Sequence, residues 1–299
     1  MRTKHQRMKA VCAATCLAAL AALAFAGSAS AKLTGAYAQF SKCPYTNVEV
    51  KKCLYSPTEG GEVVLGLKKV PITSTAVLQG GFGKPNKETK FSTFYGSTDG
   101  ITLSKAPQSV PGGLLGIVPP EKSPPLVKLL SAFFFENALT GVNSTLELAK
   151  TASDIKISEA HLAEEIGVAL EMPVKVHLEN PFLGKSCYVG SSTSPIVFKL
   201  TTGFTEPPGP NKQIRGKAGE LELFEEGAVL QLKGTELVDN AWSAPTASGC
   251  GGILGFLVNP IINSQLGLPA AAGKNTAILK NTVNVASAAA VKLNNEENP

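Results

Sequence analysis

Hydrophobic and polar residues alternate in short runs along most of this chain, which is the pattern of strands that bury one face. Glycine and proline bound these runs, as is usual between the strands of β-rich domains. The clearest runs cover residues 62–67, 70–78, 91–95, 174–178, 195–201, 220–224, 228–232 and 276–291. We therefore predict a mainly β fold, either a single-domain β-sandwich or a partly closed barrel.

The most local strand pairing is predicted near residue 225. Residues 220–224 (ELELF) and 228–232 (AVLQL) are separated by Glu225, Glu226 and Gly227. Two alternating runs joined by a short turn that contains glycine are typical of a hairpin. We therefore expect these two strands to pair with each other.

Three stretches favour helices instead of strands. Ser123 and the prolines after it suit the first turn of a helix over residues 126–139, and its side chains are apolar on nearly every side, which predicts burial. Ser158 suits the N-cap of a second helix over residues 158–170, where apolar residues recur at every fourth position. A short third helix is expected over residues 259–267. We predict two or three helices inserted between the strands.

Residues 1–31 have the three parts of a secretory signal peptide. Residues 1–9 contain four basic and no acidic side chains. Residues 10–26 are uncharged, and residues 27–31 (GSASA) contain an A-x-A pattern. The alternative is an uncleaved anchor, but the apolar stretch is at the lower limit for spanning a bilayer. We predict cleavage before Lys32 and one secreted β-rich domain over residues 32–299.

The positive charge of the chain belongs mainly to this leader. The whole sequence has 28 basic and 23 acidic residues, and four of the basic residues lie in residues 1–31. The remaining chain has 24 basic and 23 acidic residues, so it is almost neutral. A neutral domain has no general attraction for phosphates, and we expect no nucleic-acid partner.

Four cysteines follow the leader: Cys43, Cys53, Cys187 and Cys250. An even number in an exported chain predicts two disulfides, although four cysteines allow three pairings. We favour Cys43 with Cys53, which close a short loop, and Cys187 with Cys250. No metal site is expected, since the chain has no C-x-x-C and only two histidines after the leader.

The two histidines lack the neighbours that catalysis needs. His161 is followed by Glu164 and Glu165, but a zinc-protease helix needs two histidines one turn apart, so a solvated helix face explains the pattern better. His177 shares a strand face with Lys175, and we expect that face to be exposed to solvent. No sequence motif identifies a nucleophilic side chain that would act with either histidine.

Other candidate nucleophiles and carboxylates have simpler explanations. Residues 190–194 (GSSTS) lack the G-x-S-x-G pattern of a serine hydrolase, and Cys250 is better explained as half of a disulfide. Glu220 and Glu222 share a strand face and could act as the paired carboxylates of a glycosidase, but outward-facing alternation accounts for them. We therefore assign no catalytic, cofactor-binding or metal-binding residue, and we expect no cofactor.

Residues 112–135 are the candidate for contact with lipid or the cell envelope. They combine an apolar stretch rich in Gly and Pro with three consecutive phenylalanines. An exposed surface of this kind marks a membrane or partner contact. A segment that packs down on the mouth or flank of the sheet explains the same residues.

Four segments are dense in the Pro, Gly, Cys and Asn residues found at turns: 178–191 (LENPFLGKSCYVGS), 195–211 (PIVFKLTTGFTEPPGPN), 237–252 (LVDNAWSAPTASGCGG) and 266–279 (LGLPAAAGKNTAIL). Together they resemble a family of exported proteins of unknown function from high-GC Gram-positive bacteria. The likeness covers mainly residues 172–279, with a weaker one in residues 40–53. The resemblance implies export and two disulfides, and it implies no activity.

These features predict a non-enzymatic protein that is secreted or associated with the cell envelope. Besides the cysteines, the Asp239-Asn240 turn before Trp242 is expected to matter for structure. One alternative is a carrier that holds an apolar ligand or lipid between the sheet and the helix over residues 126–139, which needs an apolar cavity of a few hundred Å³. The other is an extracellular hydrolase of unrecognised type, which needs a cleft where acid, base and nucleophile meet.

Overall fold

The computed structural model describes residues 32–113, 122–125, 128 and 141–298. The strands are β1 (Lys52–Leu65), β2 (Lys68–Pro71), β3 (Ala76–Pro85), β4 (Ser92–Gly96), β5 (Gln108–Val110), β6 (Val142–Leu148), β7 (Lys156–Ile157), β8 (Leu170–Glu179), β9 (Tyr188–Val189), β10 (Ile196–Leu200), β11 (Glu220–Phe224), β12 (Val229–Asp239), β13 (Ala247–Ser248) and β14 (Thr276–Ser287). The α-helices are α1 (Glu159–Glu164), α2 (Gly255–Leu266) and α3 (Ala288–Glu297).

All of these strands belong to one antiparallel sheet. Its main path runs β11-β12-β14-β1-β3-β4-β7-β8-β6-β5, with β2 beside β1, β9 and β10 beside β8, and β13 beside β9. The path has two ends, so the sheet is not a closed barrel. Side chains from β1, β3 and β14 meet those of β8 and β10 in one hydrophobic core. The prediction of a mainly β, sandwich-like fold is confirmed.

A smaller core lies on the other side of β1 and β14. The 3₁₀ turn Gly35–Phe40 and helix α3 cover it, and Phe40 and Val291 are fully buried there. The backbone N–H of Lys32 donates to the carbonyl oxygen of Asn298 at 3.0 Å, which joins the two ends of the described chain. The alternating run predicted over residues 276–291 consists of strand β14 followed by the start of helix α3.

Both favoured disulfides are present. Cys43 is bonded to Cys53 and Cys187 to Cys250, with Cα–Cα distances of 5.5 and 4.1 Å. All four residues are buried. Disulfides are typical of proteins that mature in an oxidising space outside the cytoplasm.

The helix predictions have different outcomes. The helix over residues 126–139 lies outside the described residues except for Lys128. Helix α2 confirms the predicted short helix and begins at Gly255, and its C-cap is Gly267. The Ser158 N-cap is confirmed, since its hydroxyl accepts from the N–H of His161 at 3.3 Å.

The second helix is much shorter than residues 158–170, because tertiary contacts end it. Glu165 has a left-handed φ of 54° and caps α1. Its carboxylate accepts from the N–H of Ala218 at 2.9 Å and from Arg215 at 2.6 Å. Leu170 then begins β8 and pairs with Leu200 of β10. Strand pairing thus overrides the helical periodicity that the leucines show.

A bulge in β1 changes which residues face the core. Leu54 pairs with Val285 before the bulge, and Val63 pairs with Ala277 after it. The register shifts between Thr58 and Gly60, and one extra residue on one strand reverses the alternation of its side chains. Even-numbered residues of β1 face the interior before the bulge and odd-numbered residues after it.

Gly61 is expected to be essential to this bulge. Its φ is 109°, and a Cβ atom there would lie 1.9 Å from the carbonyl oxygen of Ile278. We expect Gly61→Ala to lower the free energy of unfolding by about 3 kcal/mol, because the strained φ and the backbone clash act together. Gly60→Ala is the matched control, since its Cβ would meet Lys280 at an ordinary 4.0 Å. Denaturant unfolding of both variants is the measurement, and equal losses would contradict the assignment.

Candidate functional site: an apolar cavity inside the sheet

The inner face of the sheet surrounds a cavity of about 130 Å³. Its walls come from β1, β2, β3, β5, β6, β8, β10 and β14, the end of α2 and the segment that precedes β5. Most of the lining side chains are aliphatic or aromatic, including Met172, Phe198 and Trp242. An apolar cavity of about 150 Å³ stays dry and binds benzene, so this one has room for an apolar group of about six carbons.

Strand alternation explains why the walls are apolar. Leu170, Met172, Val176 and Leu178 lie at even positions of β8 and line the cavity. The odd-numbered residues of the same strand point to the other face of the sheet. A shift of one residue in the pairing of β8 would exchange the two sets, so the register of this strand determines the chemistry of the cavity.

Three polar side chains, those of Ser56, Thr58 and Asn281, interrupt the wall formed by β1 and β14. Thr58 is the cross-strand partner of Asn281. Asn281 is only 5% exposed, and its Oδ1 has no hydrogen-bond donor within the described residues. Buried polar atoms in proteins nearly always have a partner, so this oxygen is an exception that needs an explanation.

The sequence contains a signal for Asn281 that sequence analysis did not use. Residues 277, 279, 283 and 285 are Ala, Leu, Val and Val, and they are all buried at alternate positions of β14. Asn281 lies in the middle of this row, at a position that the alternation assigns to the core. A single polar residue in an apolar row indicates a polar partner inside the core.

Trp242 lines the cavity and is the only tryptophan of the chain. Its indole N–H donates to the carbonyl oxygen of Asp239 at 3.3 Å, as expected if the turn before it is structural. Its ring meets that of Phe198 edge to face, with centroids 5.1 Å apart. The indole is therefore held rigidly in the cavity wall, where its fluorescence can report what the cavity contains.

The carboxyl group of Asp239 provides a pH-dependent term in stability. Asp239 is buried, and burial raises its pKa above the ordinary value, although the N–H groups of Lys199 and Ala241 donate to the carboxylate and oppose this. A raised folded-state pKa stabilises the fold when the group is protonated, and this contribution is lost as the pH rises through that pKa.

We expect Asp239→Asn to remove this dependence. From pH 7 down towards pH 4, the wild-type free energy of unfolding should rise relative to that of the variant, because only the wild-type protein gains a proton at this site on acidification. Guanidinium unfolding of both proteins across this range is the measurement. Using the difference between the two proteins removes the contribution of the other titrating groups. Two parallel pH profiles would show that burial of Asp239 does not raise its pKa.

The structure does not bring the two candidate histidines to a nucleophile. Nδ1 of His161 lies 2.9 Å from the carbonyl oxygen of Val168. The ring of His177 stacks on Tyr188 with centroids 4.4 Å apart, and its side chain is 15% exposed. The prediction that His177 lies on a solvent-exposed strand face is therefore wrong, because the ring of Tyr188 covers the imidazole. In the described parts of the chain, neither imidazole is hydrogen-bonded to a Ser, Thr or Cys side chain.

The paired carboxylates also lie outside any cleft. The predicted hairpin is confirmed, and Glu220 and Glu222 lie on β11, the strand at one end of the sheet. Every residue of β11 is exposed. Among the residues that the structure describes, no three His, Cys, Asp or Glu side chains are grouped to hold a metal ion.

A second depression of about 430 Å³ is more open and more polar than the apolar cavity. Lys105 and Glu147 border it and form an ion pair with an N–O distance of 3.0 Å. Glu147 also lies 3.5 Å from Lys175. Its acidic group is thus already paired within the protein, and the apolar cavity is the better candidate for a ligand site.

Most of residues 112–135, the candidate for envelope contact, lie outside the described residues. Sequence analysis missed a different apolar surface, at the start of α2 and in the turn before it. Its large exposed side chains are Ile253, Leu254, Phe256, Leu257 and Ile261. Phe182 is also exposed, and the backbone of its neighbour Leu183 accepts from the N–H of Gly251 at 2.7 Å. Within the described ranges, no helix has the length and hydropathy needed to cross a membrane.

Comparison of the chain with protein-family models, with curated proteins and with solved structures found no match.

Proposed function

We propose that this protein is a non-enzymatic binding protein of the extracellular space or the cell envelope, and that it holds an apolar small molecule in the cavity of its sheet. The observation that carries the proposal is an interior space of about 130 Å³ lined mainly by apolar side chains. Small-molecule sites are typically concave and apolar, with a few polar groups that orient the ligand. Ser56, Thr58 and Asn281 are such groups here.

Export is part of the proposal. We place cleavage of the signal peptide before Lys32, and two buried disulfides support an oxidising destination, because the cytosol keeps thiols reduced. The resemblance to exported proteins points the same way. Mass spectrometry of the protein secreted by a bacterial host tests this, with an N-terminus at Lys32 and no free thiol as the expected result.

The size of the cavity limits the size of the ligand. Its volume of about 130 Å³ is below the few hundred Å³ that a carrier of a larger apolar ligand needs, so the proposed ligand is a small molecule. Met172 of β8 and Leu279 of β14 both line the cavity, so a ligand there would contact both strands. The hydrolase alternative has no observation in its favour, because the described histidines and exposed carboxylates do not converge.

Titration with cyclohexane, followed by the emission of Trp242, tests the binding function. Cyclohexane has six carbons and is optically silent where tryptophan is excited. We expect a saturable change in emission with a dissociation constant on the order of 0.1 mM, which lies within the affinity per atom that very small apolar ligands reach. Binding to the folded state should also raise the thermal midpoint. An unchanged emission and an unchanged midpoint at saturating cyclohexane would refute the proposal.

A further inference from the structure

We propose that the natural ligand is a neutral molecule with an apolar body and one hydrogen-bond donor, an alcohol or an N–H group, which donates to Oδ1 of Asn281. This inference rests on the proposed function and names the chemical class of the ligand. Its evidence is the unpaired carboxamide oxygen of Asn281, a residue that lines the cavity proposed to bind.

Asn281 combines burial with an unsatisfied acceptor. The residue is 5% exposed and lines the cavity, and its Oδ1 lacks a donor within the described residues. Leaving a buried polar atom unpaired costs about 1–3 kcal/mol, whereas an apolar side chain of similar size would cost nothing of this kind. A donor on the ligand therefore explains why asparagine occupies a core position.

The backbone around Asn281 is irregular on both sides. Asn281 pairs with Thr58 of β1 and with Thr235 of β12. The register of the first pair of strands shifts directly after Thr58, and that of the second shifts between Leu232 and Thr235. Bulges of this kind often lie beside functional sites, where they re-aim side chains. Two of them flank one unpaired carboxamide oxygen here.

The surrounding chemistry favours a neutral donor. Among the described residues that line the cavity, Lys68 has the one ionisable side chain, and none carries a carboxylate. A ligand ammonium would therefore find no counter-ion among these residues, and burying an unpaired charge is strongly unfavourable. A ligand carboxylate would offer a second acceptor to an oxygen that needs a donor. An uncharged alcohol or N–H group satisfies Oδ1 without either penalty.

The test compares two probes of equal size in three proteins. Cyclohexanol can donate a hydrogen bond and cyclohexanone cannot, so the ratio of their dissociation constants isolates the donor. We expect the wild-type protein to bind the alcohol about tenfold more tightly than the ketone, which corresponds to a hydrogen bond worth about 1.4 kcal/mol. Asn281→Leu should bring the ratio close to one, because the variant has no carboxamide oxygen to accept from the alcohol. Thr282→Val is the matched control, because its side chain lies on the opposite face of β14 and is absent from the cavity wall.

Each outcome decides between the claims. A tenfold preference that Asn281→Leu abolishes and Thr282→Val retains supports the inference. Cyclohexane binding with no preference for the alcohol, or with a preference for the ketone, overturns the donor assignment and leaves the proposed function standing. If the alcohol preference survives Asn281→Leu, another group makes the hydrogen bond and the inference is wrong. If none of the three probes binds, the proposed function fails, and this inference fails with it.

Discussion

Replacing Cys187 and Cys250 together with alanine is expected to lower the free energy of unfolding by about 4 kcal/mol. The two residues are 63 positions apart, and the loop that their bond closes restricts the unfolded chain by about this amount. Loss of the bond should also loosen α2, because Cys250 donates its N–H to Asn259 of that helix at 2.9 Å. Guanidinium unfolding followed by the emission of Trp242 measures the effect.

The other disulfide provides the matched control. Cys43 and Cys53 are 10 positions apart, so the same double replacement there should lower the free energy of unfolding by about 3 kcal/mol. The order of the two effects is the critical result, because the longer loop restricts the unfolded chain more. A larger loss for Cys43 and Cys53 would show that loop closure does not control the contribution of these bonds.

The sequence predicted the features that depend on short stretches of chain. The hairpin of β11 and β12 follows from two alternating runs around residues 225–227, and the structure pairs these two strands. The N-cap of Ser158 follows from one residue type at a helix start. The pairing of Cys43 with Cys53 follows from the short loop that the two residues close. Local chemistry determines each of these, so no knowledge of the overall topology was needed.

Competition between local and long-range contacts explains why the helix predicted over residues 158–170 is too long. The periodicity of Leu162, Ile166 and Leu170 favours a helix, but only the first of these lies in α1. Glu165 is held by Arg215 and Ala218, which are about 50 residues away in sequence. Contacts at this separation cannot be inferred from a single sequence without knowing the order of strands in the sheet.

The cavity could not be predicted for the same reason. Thr58, Met172, Trp242 and Asn281 lie far apart in sequence and meet only because β1, β8 and β14 belong to one folded sheet. The bulge in β1 also reverses the alternation within a single run, so a constant period of two assigns half of that strand to the wrong face. Asn281, which interrupts the buried apolar residues at alternate positions of β14, is the one local feature of the sequence that indicates the cavity.

Filling the cavity with a side chain is expected to abolish ligand binding. Ala76 of β3 pairs with Thr58 of β1, which pairs with Asn281 of β14, so the three side chains lie in a row on the cavity wall. Ala76→Phe would place a six-carbon ring in a space of about 130 Å³, which has room for about one such ring. We expect the affinity for cyclohexane to fall more than 100-fold, with no response of Trp242 emission at concentrations that saturate the wild-type protein.

The neighbouring position distinguishes occupancy of the cavity from a general effect of a new aromatic ring. Val77 follows Ala76 on β3, points to the opposite face of the sheet and is absent from the cavity wall. Val77→Phe should therefore retain cyclohexane binding. Overpacking in Ala76→Phe could lower stability by about 1–3 kcal/mol, so unfolding of both variants is measured to establish that each is folded at the titration temperature. A folded Ala76→Phe protein that binds cyclohexane as tightly as the wild-type protein would place the ligand outside this cavity.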